Sequence, residues 1–223
     1  MAVARSKAEL EQALRVYSAE RRVYKRELEQ YPTPTSIVAH MTWLGVLKGD
    51  IIGKTTADYG CGDGRIAIAS LVAGASRAVC VELDEDMVRI GAQLAHEHYP
   101  LLYPRILFIV GDATRIELRN TDTVTMNPPF GVVRRNKGID MKFLASALWS
   151  SRKVYSVHKY SEGFLRVLEK LAKTIGFNLE YLELIDFNIP MLYAKHRRRT
   201  HRFKAVLVIL AKGECLIELC ASR

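Results

Sequence analysis

The chain has 223 residues, and its 33 Lys and Arg against 24 Asp and Glu give a net charge of +9. Apolar residues make up 49% of the chain and charged residues 26%, which excludes disorder along its whole length and predicts a globular protein with a large core. The longest apolar run, residues 205–211, is far shorter than the roughly 20 residues that a membrane helix needs. Acidic residues stand where a signal peptide would have its apolar segment, so we expect a cytoplasmic protein.

The cysteines give the same indication about the compartment. Cys61, Cys80, Cys215 and Cys220 are too few and too irregularly spaced for a disulfide scaffold. None of them forms a C-x-x-C pair, so a structural zinc site is not expected. A reducing, intracellular compartment fits this pattern.

The first 50 residues predict a helical extension. Apolar residues within 6–29 recur at spacings of three, four or seven, which predicts one helix, with Ser6 and Glu9 as its capping box. Pro32 and Pro34 end that helix, and a second helix is predicted over 36–47.

Strand and helix patterns alternate from Thr55 onward. Such alternation predicts a Rossmann-like α/β fold, a mostly parallel sheet of seven strands with helices on both faces. We expect an N-terminal helical extension over 1–50, the α/β domain over 51–212 and a tail over 213–223. The predicted strands are 56–59, 78–82, 106–110, 123–126, 154–157, 179–187 and 203–211, and the predicted helices are 65–72, 85–98, 141–150 and 162–175.

A glycine-rich turn follows the first predicted strand and precedes a helix. Gly60 and Gly62 allow a sharp bend there and let a ligand lie against bare main chain. A dinucleotide site would need a small residue where this chain has Arg65, so the turn does not fit the NAD pattern.

Three acidic residues stand at the carboxyl ends of the first three predicted strands. Asp58, Glu82 and Asp112 are therefore expected to converge on one crevice. Each of them alone is as consistent with a helix cap or a solvated loop. Together they suit a ligand that carries an ammonium, a ribose and an adenine, and they would repel a pyrophosphate. The combination favours S-adenosylmethionine as the cofactor.

The fourth predicted strand ends in Asn127-Pro128-Pro129-Phe130. In a doubly wound sheet this position lies beside the first strand, next to the glycine turn. The Asn127 side-chain oxygen and the Pro128 carbonyl can accept the two protons of an exocyclic amine on a base, and Pro129 holds that carbonyl rigid. Phe130 offers a face on which a base can stack. The alternative is a proline-rich turn with Phe130 in the core, but the position at strand four favours catalysis.

At this point the chain resembles the methyltransferase-like 5 family of ribosomal RNA adenine N(6)-methyltransferases. The motifs that carry the resemblance occur in the family's order and span nearly the whole chain: residues 29–33 (EQYPT), the glycine turn, residues 127–131 (NPPFG), residues 136–141 and residues 154–159. The resemblance implies a class I methyltransferase domain over 51–212 that acts on small-subunit ribosomal RNA, with Asn127, Pro128, Pro129 and Phe130 as the catalytic loop. The implied cofactor contacts are Gln30, Thr33, Asp58, Gly60, Gly62, Glu82 and Asp112. Glu82 departs from the family, which usually has Asp there, and the tail after 212 looks like an addition.

Basic residues predict where RNA binds. The stretch 195–204 holds six cations and no acid, a compact patch of the kind that binds polyanions. A second group follows the catalytic motif, close enough to hold phosphates beside a base that has left its stack. The RNA-binding candidates are Arg134, Arg135, Lys137, Lys195, Arg197, Arg198, Arg199 and Arg202.

The third predicted strand, residues 106–110, is continuously apolar and is expected at the edge of the sheet. An unprotected edge invites a partner that adds a strand. Coverage by helices on both faces would also explain the apolar run. The family resemblance implies the partner, a small zinc-binding methyltransferase activator protein, and hence a heterodimer.

Other functions remain open at this stage. A guanine 2-amino methyltransferase of ribosomal RNA would use the same tetrapeptide, because it suits any planar exocyclic amine. A glutamine-directed protein methyltransferase fits less well, since it leaves the basic patch without a role. An RNA-binding assembly factor without catalytic activity would keep the fold for its surface alone.

Overall fold

The computed structural model describes residues 3–19, 24–190 and 200–213. Short 3-10 turns lie at Arg26–Leu28, Tyr103–Arg105 and Arg134–Asn136. The helices are α1 Lys7–Ala13, α2 Val16–Ala19, α3 Thr35–Leu47, α4 Arg65–Val72, α5 Glu85–His98, α6 Ile139–Ser150 and α7 Glu162–Ile175. The strands are β1 Thr55–Tyr59, β2 Arg77–Glu82, β3 Ile106–Val110, β4 Thr123–Met126, β5 Lys153–Lys159, β6 Phe177–Pro190 and β7 Thr200–Lys212.

The seven strands form one sheet in the order β3-β2-β1-β4-β5-β7-β6. Strands β1 to β5 pair in parallel, and β7 runs antiparallel to both β5 and β6. The predicted Rossmann-like, mostly parallel sheet is confirmed. The order reverses between β1 and β4, so the loops that follow these two strands open onto one crevice. Strand β3 lies at the edge, as predicted.

Helices cover both faces of the sheet, as parallel strands require. Strand β4 is buried along its whole length, and β1 is buried after its first residue. On one face Ile68 and Leu71 of α4 join a core with the N-terminal helices, and on the other Leu144 of α6 and Leu168 of α7 pack over the central strands. The two cores hold the loops at the carboxyl ends of the strands in fixed positions.

The helix ends follow local capping signals. The Asp84 side chain caps α5 by accepting the Asp86 N–H, and the Ser161 side chain caps α7 by accepting the Phe164 N–H. Gly176 ends α7 in the left-handed conformation. These caps explain why the predicted bounds of α5 and α7 agree with the structure.

The predicted single helix over 6–29 is wrong. Ser6 does cap α1 by accepting the Glu9 N–H, but the helix ends at Ala13, a second short helix α2 follows, and the part of 6–29 described after residue 23 is helical only in one 3-10 turn. The Tyr17 carbonyl accepts a hydrogen bond from Arg65, 48 positions away in the chain. Contacts with distant residues therefore set the conformation of this segment, and the helical periodicity did not.

Part of the predicted basic patch lies outside the described residues. Lys195 and residues 197–199 fall in the gap, whereas Arg202 and Lys204 lie on β7. The proposed division into 1–50, 51–212 and 213–223 stays a prediction. Within the described part of the chain, no helix combines the length and the apolar character that crossing a membrane requires.

One disulfide joins Cys61 of the glycine turn to Cys80 of β2, with a Cα–Cα distance of 5.5 Å. The sequence does not predict this bond, because a spacing of 19 residues carries no disulfide signal. The disulfide ties the turn to the neighbouring strand. Intracellular disulfides are common mainly in hyperthermophiles. The bond therefore does not support the reducing compartment that the cysteine pattern predicted.

Helix α5 packs against the glycine turn at Gly91. A Cβ at this position would lie 2.8 Å from the backbone oxygen of Asp63 and 3.0 Å from the Phe108 ring. Only glycine fits such a close approach, because the backbone atom cannot move aside.

We expect Gly91→Ala to lower the free energy of unfolding by about 1–3 kcal/mol through this overlap. In an open helical position the same change would stabilise the protein by up to about 1 kcal/mol. Gly163→Ala in α7 is the matched control, because its Cβ would meet only the Ser161 hydroxyl at 3.9 Å. Urea unfolding of both variants measures the difference, and equal stability of the two would contradict the packing argument.

Candidate active site

A cavity of about 440 Å³ opens at the carboxyl ends of β1, β2 and β4. This volume lies within the range of small-molecule and cofactor sites. Its walls come from the glycine turn, the ends of β2 and β3, the catalytic loop, the start of α6 and the N-terminal segment 24–33. The sheet topology thus brings together segments that are far apart in the chain.

The glycine turn forms the floor of the cavity. Gly60, Gly62 and Gly64 have φ values of 70°, 54° and 78°, a region that other residues rarely adopt. A Cβ on Gly60 would lie 3.0 Å from the Phe143 ring. The predicted turn is therefore present, and its main chain faces the cavity.

Glu82 and Asp112 lie on the cavity wall, as predicted. The Glu82 carboxylate accepts the Gly62 N–H at 2.9 Å and the Asp84 N–H at 2.9 Å, which fixes its orientation. Burial raises the pKa of Glu82, and these backbone hydrogen bonds oppose the shift. Asp112 accepts both the backbone N–H and the hydroxyl of Thr114, at 2.9 and 2.7 Å.

Asp58 does not lie on the cavity wall. Its side chain is completely buried beneath the turn, and one oxygen accepts the Ala67 N–H at 3.2 Å. The other oxygen has no hydrogen-bond partner among the described residues. Burial raises the pKa of Asp58 well above its ordinary value. The structure therefore brings two of the three predicted acids to the cavity and holds the third below it.

Arg65 has a role that the sequence analysis missed. Its guanidinium forms a buried ion pair with Asp63, at 2.6 Å from Nη2 and 2.9 Å from Nε. Nη1 donates to the Thr33 carbonyl at 2.7 Å. The large residue that argues against a dinucleotide site thus ties the glycine turn to the N-terminal segment.

The catalytic loop presents a free acceptor. The Asn127 amide nitrogen donates to the Thr33 hydroxyl at 2.9 Å, which fixes the orientation of the side chain. The Asn127 amide oxygen is buried and has no hydrogen-bond partner among the described residues. The Pro128 carbonyl accepts the Tyr31 hydroxyl at 3.2 Å. Asn127 and Pro129 lie on the cavity wall, together with Thr33.

Phe130 belongs to an aromatic cluster next to the cavity. Its ring centroid lies 5.2 Å from Tyr31, 5.7 Å from Phe187 and 5.3 Å from Phe203. Neither Phe130 nor Pro128 is among the residues that line the cavity. Stacking of a base on Phe130 stays a prediction, and the cluster gives the ring a packing role as well.

The N-terminal segment forms one wall of the site. Gln30 lines the cavity, its amide nitrogen donates to Asp84 at 2.8 Å, and its oxygen accepts the Lys25 N–H at 2.7 Å. Lys25 also forms an ion pair with Asp84 at 2.7 Å, which lowers the pKa of that carboxyl. The described contacts thus hold Gln30 in place on the side of the cavity where β2 ends.

Several cations line the cavity, among them Arg115, which pairs with Asp112 at 3.4 Å. Arg135 and Lys137 line it, as does Lys142 in the first turn of α6, which the sequence analysis missed. Arg134 lies in the same loop but not on the wall. Arg202 and Lys204 on β7 lie elsewhere in the fold. In the sequence, the one feature that links Lys142 to the cavity is its position four residues after Gly138.

His158 is completely buried and does not line the cavity. Its Nε2 lies 2.6 Å from the Ser156 hydroxyl, and its Nδ1 lies 3.6 Å from Asp140. Burial lowers the pKa of His158. This histidine is part of the packing behind α6.

Comparisons with known proteins agree with this geometry. A family model described as a methyltransferase domain matches residues 57–139. The rRNA N(6)-adenosine-methyltransferase Mettl5 of Drosophila melanogaster is 35% identical over 179 residues, which cover 78% of this chain and 81% of that protein. The rRNA N(6)-adenosine-methyltransferase METTL5 of Danio rerio is 33% identical and covers 78% of this chain and 83% of its own.

A solved structure shows the same architecture. Protein PH1948 of Pyrococcus horikoshii superposes with a TM-score of 0.81 at 31% identity, covering 93% of this chain and 98% of its own. The identity and coverage of the two methyltransferase relatives show the family. This chain belongs to the methyltransferase-like 5 family, which confirms the resemblance carried by its motifs.

Proposed function

We propose that this protein transfers a methyl group from S-adenosylmethionine to the exocyclic 6-amino group of an adenosine in small-subunit ribosomal RNA. The observation that carries the proposal is the Asn127 oxygen on the wall of the cavity, which is buried and has no hydrogen-bond partner in the described part of the chain. Membership in a family whose named relatives are rRNA N(6)-adenosine-methyltransferases supports the choice of reaction and substrate.

The residues on the acidic side of the cavity fit the cofactor. Glu82 can accept the ribose hydroxyls, because each of its oxygens retains a lone pair after bonding one backbone N–H. Asp112 can accept the amino group of the adenine. Leu83, 55% exposed although it is apolar, lines the cavity between them and can pack against the adenine ring. The bound cofactor supplies an electrophilic methyl group on a sulfonium.

The catalytic loop can orient the amine of the substrate adenosine. Asn127 can accept a hydrogen bond from one amine N–H through its free oxygen, and the Pro128 carbonyl can accept one from the second N–H through the lone pair that Tyr31 does not use. Two acceptors held in this way favour a pyramidal nitrogen with its lone pair directed at the methyl group. After the methyl group is transferred, the cationic nitrogen releases one proton to water. Most of the catalysis is then positioning and electrostatics, with no strong base required.

RNA phosphates fit the cationic side. The cavity wall there carries Arg135, Lys137 and Lys142. We assign the flanking phosphates of a flipped adenosine to this rim, together with Arg134. We assign more distant RNA phosphates to the basic stretch 195–204, with Lys195, Arg197, Arg198, Arg199 and Arg202 as the candidates. We also propose a cytoplasmic location, which a ribosomal RNA substrate supports.

Asn127→Ala tests the reaction. We expect kcat to fall by about 100-fold or more, because the oriented acceptor acts only as the amine becomes pyramidal. The affinity for RNA and for S-adenosylmethionine should stay within about twofold of the parent. Radiolabelled methyl transfer to ribosomal RNA gives the rate, and digestion to nucleosides followed by mass spectrometry identifies the product.

Thr33 supplies the matched pair for this test. Thr33→Val removes the acceptor that orients Asn127, so we expect an intermediate loss of kcat, whereas Thr33→Ser keeps the hydroxyl and should retain most activity. Full activity in Asn127→Ala would contradict the mechanism. A product methylated at the guanine 2-amino group would establish the alternative reaction, and RNA binding by the parent with no transfer would indicate an assembly factor.

Removal of rim cations tests the RNA side. We expect the double variant Lys137→Ala, Lys142→Ala to reduce the slope of log affinity against log salt by about 1.4, at about 0.7 for each lost phosphate contact on a single strand. Lys170→Ala, Lys173→Ala on α7 is the control with the same change in charge. Fluorescence anisotropy across a salt series measures both, and an equal slope in the two variants would place the RNA elsewhere.

We further propose a heterodimer with a small zinc-binding activator protein at β3. The support is that β3 lies at the sheet edge and exposes Leu107 at 57% and Val110 at 52%. A strand added by the partner would pair with the open backbone edge and cover these side chains.

Leu107→Lys should weaken binding of the purified activator by about tenfold or more, because a charge would be buried at the interface. Val167→Lys on α7 is the control, since that valine is comparably exposed on another element. Isothermal titration calorimetry compares the two variants. Parent-like affinity in Leu107→Lys would exclude this edge as the interface.

A further inference from the structure

Alternate residues of the segment 29–33 contact one continuous stretch of the catalytic region. Thr33 accepts from Asn127, and Tyr31 donates to Pro128. Glu29 accepts from the loop that follows, residues 131–136. Three residues of this segment, each two positions apart, therefore hold the catalytic loop and the loop that follows it. Pro32 stiffens the segment by fixing its own φ.

Glu29 makes the densest of these contacts. Oε1 accepts the Val133 N–H at 2.8 Å and the Asn136 amide at 3.1 Å, and Oε2 accepts the Val132 N–H at 3.1 Å. The residue is only 7% exposed and has a left-handed backbone conformation, with φ at 53°. A non-glycine residue in this conformation is uncommon, and its surroundings must compensate for the strain.

The loop that Glu29 holds leads directly to the cationic rim. Gly131 lies where the loop turns back on itself, and a Cβ there would be 2.9 Å from the Asn136 carbonyl oxygen. Arg135 and Lys137 flank Asn136 in the chain, and both line the cavity. Glu29 fixes the Asn136 side chain and the backbone amides of Val132 and Val133. It therefore also fixes the stretch of backbone from which the two cationic side chains extend.

We propose that Glu29 is a positioning residue for the RNA substrate. Its buried carboxylate holds loop 131–136 so that Arg135 and Lys137 face the phosphates beside the target adenosine. Glu29 acts through these residues and touches neither the reacting amine nor the methyl group. The inference rests on the proposed function, because it assigns the rim to RNA.

The charge of the carboxylate is essential to this role. Three N–H donors converge on Glu29, and a carboxylate is the side chain that offers only acceptors. A glutamine of the same shape would turn an amide N–H toward one of these donors. Glu29→Gln should therefore loosen the loop while it keeps the volume of the side chain.

The test compares Glu29→Gln with Glu169→Gln, an exposed carboxylate on α7 that gives the same change in charge. We expect Glu29→Gln to raise KM for RNA by about tenfold and to reduce the salt slope of RNA binding by about 1–1.4, through two poorly placed cations. The KM for S-adenosylmethionine should change less than about twofold, since the cofactor contacts the other side of the cavity. Glu169→Gln should match the parent in all three measurements.

A purely structural role predicts a different result. It would lower the unfolding temperature and reduce activity without moving KM for RNA or the salt slope, and that outcome would overturn the proposal. If Glu29→Gln does not fold, Asn136→Ala removes a donor of the same contact from the loop and should shift both RNA parameters in the same direction. Parent-like RNA parameters in Asn136→Ala would then reject the inference.

The proposed function and the role of Glu29 can be rejected independently of each other. If the parent protein transfers no methyl group to RNA, the reaction assignment is wrong whatever the variants do. If the parent transfers the methyl group and Glu29→Gln equals Glu169→Gln, only the role of Glu29 is wrong.

Discussion

The buried guanidinium of Arg65 determines how the two halves of the site meet. It pairs with Asp63 in the glycine turn and donates to the Thr33 carbonyl, while the Thr33 hydroxyl holds Asn127. Burying an ion pair brings little net stability, because the desolvation of both charges offsets their attraction. What this pair provides is geometry, since a planar guanidinium with fixed donor directions spaces the cofactor turn from the catalytic asparagine.

The charge distribution of the cavity follows from this arrangement. Glu82 and Asp112 come from the carboxyl ends of β2 and β3, and Arg135, Lys137 and Lys142 come from the loop and helix after β4, while Arg115 and Glu29 line the cavity as well. A cationic sulfonium donor and a polyanionic RNA would compete for a site of one sign. A wall that carries charges of both signs offers acceptors to the sulfonium donor and cations to the RNA phosphates.

The sequence predicts those parts of the fold that local rules determine. Helix α5 agrees because Asp84 caps it, and β3 agrees because its five residues form one continuous apolar run, as is typical of a parallel strand. The helix predicted over 6–29 failed because Arg65 binds the Tyr17 carbonyl and Asp84 binds Lys25, and both partners are distant in the chain. For the site, sequence position identified the turn and the Asn127 loop, but burial of Asp58 beneath the turn depends on packing that no local pattern encodes.

The unpartnered Asn127 oxygen is best understood as a cost of function. A buried acceptor without a partner destabilises a fold by about 1–3 kcal/mol, and packing normally removes it. Here the Thr33 hydroxyl holds the amide by its nitrogen, so the oxygen cannot turn away to find another donor. An acceptor already desolvated and oriented requires no reorganisation when the amine arrives, and its interaction strengthens as the amine nitrogen gains positive charge. The unpartnered acceptor therefore lowers the stability of the folded protein, and in return it lowers the free energy of the transition state.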